Sequence, residues 1–122
     1  PCDTLRRGSR TRENTMTTRE QKWRDAMDVF HEHSTKHHYD RDSPPNELAT
    51  RLMSQWMHYY RYTDWWPEAI VYEPGGGWIL DMTRGDEVVH LTVYNDGDAE
   101  ILEVDPDSRE ITIYDLPSEP PK

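Results

Sequence analysis

The sequence is short of cysteine, of long apolar runs and, in its second half, of cations. Cys2 is the one cysteine among 122 residues, so no internal disulfide can form and a disulfide-stapled secreted scaffold is excluded. No stretch of about 18 apolar residues exists, which argues against a transmembrane helix. Hydrophobic residues make up 34% of the chain and the mean hydropathy is -1.05. The 14 Lys and Arg are outnumbered by 24 Asp and Glu, for a formal net charge of -10. That balance argues against direct nucleic-acid binding, which needs a basic footprint. No apolar stretch follows the basic run Arg6 to Arg12; no signal peptide is visible, and the cytoplasm is the expected compartment.

Catalytic signatures are also missing. Ser54 sits in a helical pattern, with no Gly-x-Ser-x-Gly elbow anywhere. Pro74-Gly75-Gly76-Gly77 lacks the Lys and Ser or Thr of a phosphate loop and leads into a strand pattern. Arg84-Gly85-Asp86 reads as a short turn. The aspartates around Asp96, Asp98 and Asp105 lack the loop pattern of a calcium hand. The expectation is a protein that is not an enzyme.

What is present is aromatic. Five Trp and seven Tyr lie between Trp23 and Tyr114, and a disordered chain is poor in such residues. One small folded domain follows, since large aromatics bury much area per residue. The organisation expected is a disordered basic tail over 1–16, one α+β domain over 17–116 and a disordered Pro-rich tail over 117–122. Met16 is a second candidate start for the chain.

Overlapping capping boxes, Thr17 with Glu20 and Thr18 with Gln21, precede an apolar stripe of Trp23, Ala26, Met27 and Phe30. This predicts a helix over about 18–34. Ser43 and Pro44 form a second start, with Ser as cap and Pro at the first helical position. Leu48, Leu52, Trp56 and Tyr59 follow at steps of three and four, a helix over about 45–60. Beyond Pro67 the period becomes two. Strands are expected over 69–73, 78–83, 87–94, 99–104 and 109–114, joined by short polar turns that favour antiparallel neighbours. The expected fold is two N-terminal helices packed on one face of a four- to five-stranded antiparallel meander.

The charge is lopsided. Residues 1–63 hold 11 basic and 9 acidic residues, whereas 64–122 hold 3 basic and 15 acidic. The ordinary explanation is solubility, with outward charges blocking edge-to-edge aggregation. The functional one is an acidic, Tyr-bearing sheet face for a basic protein partner, with Tyr94, Tyr114, Glu100, Glu103 and Asp105 as contact residues. A small acidic protein of this kind suits masking a nucleic-acid-binding surface or neutralising a nuclease toxin. Two alternatives stand beside it. His33, His37, His38 and Asp40, near the end of the first helix, have a spacing that can hold Zn or Ni, against the plain reading of a His-rich helix end favoured by the dipole. The other is a structural homodimer built through an edge strand. The cluster Trp65-Trp66-Pro67 reads as a core-sealing corner rather than a ligand platform.

Overall fold

The computed structural model describes residues 18–35 and 43–121. Two helices, α1 (Arg19–Thr35) and α2 (Glu47–Arg61), precede five strands: β1 (Trp66–Tyr72), β2 (Gly77–Arg84), β3 (Glu87–Tyr94), β4 (Ala99–Val104) and β5 (Ile111–Leu116). The sheet order is β1-β2-β3-β4-β5, and every neighbouring pair is antiparallel. This is the expected α+β arrangement with a five-stranded meander. Among the described residues no helix is long and apolar enough to cross a membrane. The tail expected over 1–16, with Cys2, lies outside the described residues.

α1 starts at Thr18, whose hydroxyl accepts the Gln21 N–H at 3.1 Å. Only half of the expected box forms there, because the Gln21 amide donates forward to Asp25 at 3.0 Å instead. α2 starts later than expected. Its cap is Asn46, which accepts the Ala49 N–H at 2.8 Å, rather than Ser43. Pro45 disfavours helical backbone at Pro44, so the helix cannot begin there. Asn46 is also tied to the β3–β4 turn. Its N–H donates to Asn95 Oδ1 and its Nδ2 to the Asn95 carbonyl, both at 2.9 Å. Asn95 Nδ2 in turn donates to the Pro44 carbonyl at 2.9 Å.

The core lies between the helices and one sheet face. α2 contributes Ala49, Leu52, Met53, Trp56 and Met57, whereas Leu48 and Tyr59 are 36% and 38% exposed. At about 100° per residue Leu48 and Tyr59 fall together on one edge of the stripe, roughly 80–100° from the centre of the buried face. Trp78, Leu80 and Met82 of β2 and Val89, Leu91 and Val93 of β3 complete the core. Trp23, Trp56 and Trp78 are essentially fully buried. Each contributes about 5 kcal/mol of transfer free energy before the cost of ordering it. Each also satisfies its indole N–H, donating to the Trp65 carbonyl, the Ser118 carbonyl and the Thr50 hydroxyl at 3.0, 3.1 and 3.0 Å. The need of Trp56 for an acceptor holds part of the segment expected to fray over 117–122: Ser118 is bound to α2, and Glu119 sits 3.8 Å from Arg51.

β1 begins three residues earlier than expected and includes Pro67, with a bulge between Pro67 and Ala69. Proline is tolerated on an edge strand, where its missing donor is not needed. β5 begins two residues later, because the Asp105–Glu110 segment forms a longer turn, closed by the Asp105 N–H on the Glu110 carbonyl at 2.9 Å. Arg109 takes φ 65 there. Gly77 opens β2 at φ 134, where a Cβ would lie 2.1 Å from the Val93 carbonyl oxygen.

Candidate functional site

The helices lie chiefly over β1, β2 and β3, which leaves one sheet face without a covering layer. Antiparallel partners share a face, so the pairing register defines this surface as rows. The first runs Val71, Ile79, Thr92, Glu100, Asp115. The second runs Ala69, Asp81, His90, Leu102, Ile113. The third runs Trp66, Thr83, Val88, Val104, Ile111. Tyr94 lies beyond the first row, opposite Gly77. At the β4–β5 end the surface is apolar in the second and third rows and acidic in the first, at Glu100 and Asp115. Ile111 and Ile113 are 62% and 56% exposed.

The expected contact residues divide between the two faces. Tyr94 and Glu100 stand on the uncovered face. Tyr114 pairs with Ile101, and Glu103 with Val89 and Thr112, on the helix side. The expectation that Tyr94 and Tyr114 share the outward face is corrected by this register. β4 is apolar at Ile101 and at Leu102, on opposite faces, so its alternation does not say which side is covered. Tyr72 likewise faces the core, its ring 5.1 Å from that of Trp78. Asp105 serves its own turn: Oδ1 accepts the N–H groups of Asp107 and Ser108 at 2.8 and 3.0 Å. These bonds, Ser108 first, hold its carboxyl below the usual range.

Tyr94 and Glu100 form a unit. Partial burial, then a hydrogen bond to the Glu100 carboxylate and the charges of Glu100, Glu73 and Asp96, push the Tyr94 phenol up to about 12. A depression beside them is lined by Asp98, Asp115 and Leu116. Row two holds a second polar unit, in which His90 Nδ1 bonds Asp81 Oδ1. Thr92, only 8% exposed, separates the two units.

The cations of this half of the chain are engaged elsewhere or stand apart. Arg84 holds Glu87 at 2.8 Å and Asp64 at 3.3 Å and lies 4.4 Å over the Trp65 ring. Among the described residues no Lys or Arg pairs with Glu100, Glu103, Asp105, Asp107, Glu110 or Asp115.

Of the proposed metal ligands, His33 is in the last turn of α1. Its ring packs edge-on against Tyr72 at 5.5 Å and its carbonyl accepts the Tyr72 hydroxyl at 2.9 Å. His37, His38 and Asp40 lie outside the described residues. Among the described residues no group of three His, Cys, Asp or Glu is arranged to hold a metal ion.

Comparison with family models, curated proteins and solved structures finds no match. Sequence reasoning did not single out Ile111, Ile113 and Asp115 on the uncovered face, nor the Asp81–His90 pair. For Asp81 and His90 a signal existed, since both oppose core residues in alternating strands. For β5 none did, because its faces follow from the turn length before it.

Proposed function

We propose that this chain is a protein-binding module of the cytoplasm that takes a basic partner protein on the uncovered sheet face, toward its β4–β5 end. The observation that supports this most directly is the exposure of Ile111 and Ile113 beside Glu100 and Asp115, carboxylates without a described cationic partner. An exposed apolar patch bordered by charged groups has the composition of a protein interface. The negative field of the rim speeds encounter with a positive surface and penalises acidic competitors. Tyr94 adds a large amphipathic contact beside Glu100, the two lining one depression. A partner whose basic surface otherwise takes nucleic acid would be inhibited by such occupation.

The test is affinity capture from cells of the native host at low salt, with wild type and the Glu100→Lys, Asp115→Lys double variant in parallel. The expected result is a basic protein retained stoichiometrically by wild type, lost from the variant and released by salt. Equal recovery on both baits overturns the reading.

A further inference from the structure

The two edges of the sheet are unlike. β1 carries Pro67 and a bulge, and α1 packs against it; these are the devices that keep an edge from pairing. β5 has none of them. It holds no proline, pairs with β4 without a shift from Ile111 to Leu116, and is exposed from Ile111 through Asp115. The hairpin bond from the Asp105 N–H to the Glu110 carbonyl sets which main-chain groups are used. Alternation from there turns those of Thr112, Tyr114 and Leu116 toward β4, and those of Ile111, Ile113 and Asp115 toward the open edge.

We propose that this edge pairs with the β5 of a second copy of the chain, antiparallel, about a two-fold axis at Thr112. Every axis centred on a residue of the strand matches open-edge groups with open-edge groups, and the side chains decide among them: an axis at Tyr114 sets Ile113 against the second copy's Asp115, twice. An axis at Ile113 sets Ile111 against the second copy's Asp115, twice. An axis at Ile111 sets Ile113 against the second copy's Arg109. The axis at Thr112 alone sets Ile111 against the second copy's Ile113, twice; Arg109 stands in the turn before the strand, at φ 65 and with its N–H on the Asp105 carbonyl at 2.9 Å, so it offers the second copy's Asp115 a side chain and no ladder bond. Because Leu102 is beside Ile113 and Val104 beside Ile111, the uncovered face then carries two unbroken apolar rows, each Leu102, Ile113, then Ile111 and Val104 of the second copy. On the helix side Thr112 meets itself and Tyr114 meets Glu110. Arg109, which pairs with no acid of its own chain among the described residues, brings its side chain from the turn toward Asp115 and Glu100 of the second copy. Pairing of this kind produces one ten-stranded sheet and removes the bare edge from each copy.

The net charge of -10 opposes self-association, so screening strengthens it. The screening length falls to ~3 Å at about 1 M salt. Salt therefore separates this inference from capture of a basic partner, which salt weakens, and either can fail without the other. The experiment measures mass by sedimentation of the full chain at low and at about 1 M salt, joined to cysteine crosslinking. Thr112 faces itself in a non-hydrogen-bonded pair, a separation that a disulfide spans. With Cys2→Ser in the background, Thr112→Cys is expected to give an oxidised dimer at high salt, whereas Ile111→Cys or Ile113→Cys alone is not. At the lowest salt at which the dimer forms, where the ion pair is least screened, Asp115→Arg is expected to weaken it, and Arg109→Asp added to it to restore association. A chain that stays monomeric at high salt overturns the inference. So does crosslinking at 111 or 113 in preference to 112, or a dimer indifferent to the charge swap.

Discussion

Removing the Asn95 side chain is expected to destabilise the domain by about 1–2 kcal/mol. Asn95→Ala deletes two hydrogen bonds, the acceptor for the Asn46 N–H and the donor to the Pro44 carbonyl, both at 2.9 Å. Each is worth about 0.5–1.5 kcal/mol net, and the partly wet setting selects the lower half of that range. Asn46→Ala deletes the α2 cap, worth about 1 kcal/mol, and the Nδ2 bond to the Asn95 carbonyl, for about 1.5–2 kcal/mol. Asn46→Ser keeps an oxygen cap and loses only the second bond, so it costs less than 1 kcal/mol or so. Residues in contact ordinarily show coupling of about 0.5–3 kcal/mol. Here the double variant is expected to be nearly additive, at about 3 kcal/mol. The reason is geometric: neither bond between the two residues joins side chain to side chain. Asn95 binds a main-chain N–H of residue 46, and Asn46 binds a main-chain carbonyl of residue 95, and both groups survive in alanine. Urea unfolding followed by circular dichroism gives all four free energies. A cost for Asn95→Ala below about 0.3 kcal/mol refutes the clamp, and coupling above about 1 kcal/mol refutes the independence of its two bonds.

Three further outcomes are expected. Tyr94, followed by ultraviolet difference absorbance against a Tyr94→Phe variant, is expected to ionise well above pH 10, and Glu100→Gln to lower its midpoint. Its folded pKa is raised from 10.0 to about 12, so the stability it contributes is complete below pH 10 and is lost as pH rises toward 12; a Tyr94 midpoint near 10 contradicts this. Gly77→Ala is expected to cost roughly 2 kcal/mol or more, since φ 134 and the Val93 oxygen 2.1 Å from the new Cβ force the main chain to shift; an unchanged melting temperature refutes it. Trp56→Phe leaves the Ser118 carbonyl unpaired and is expected to cost about 1–2 kcal/mol while speeding carboxypeptidase trimming past Ser118. Trimming at the wild-type rate refutes the anchor.

The element types were legible because each obeyed a single period. Trp23 and Phe30 recur at helical spacing and are buried, and Val89, Leu91 and Val93 alternate and are buried. Short turns made the meander the expected topology. The boundaries that moved did so where a longer-range bond decided. Asn46 displaced Ser43 as the α2 cap, and the partner that reinforces it, Asn95, is 49 residues away. The C-terminal segment holds through Trp56, 62 residues from Ser118. Neither pairing leaves a local mark.

The candidate face was legible in charge and not in geometry. That residues 64–122 hold 15 acids and 3 bases is a count, and no fold alters it. Which face carries them depends on register, and β4 is the strand that hides it. Ile101 and Leu102 are adjacent, and both are partly buried, so a slip of one residue swaps two side chains of nearly equal hydropathy and changes little that a sequence pattern can register. The same slip moves Tyr114 from one side of the sheet to the other and exchanges it for Ile113. A strand only partly buried on each face can afford that ambiguity only if its neighbours discourage indiscriminate pairing. The carboxylates at Glu100, Glu110 and Asp115 do so by repelling any edge that does not bring a cation to meet them. On the proposed reading, solubility and partner choice would be one property of this end of the sheet. The charge that would keep Ile111 and Ile113 from aggregating would also be the charge that a partner has to neutralise.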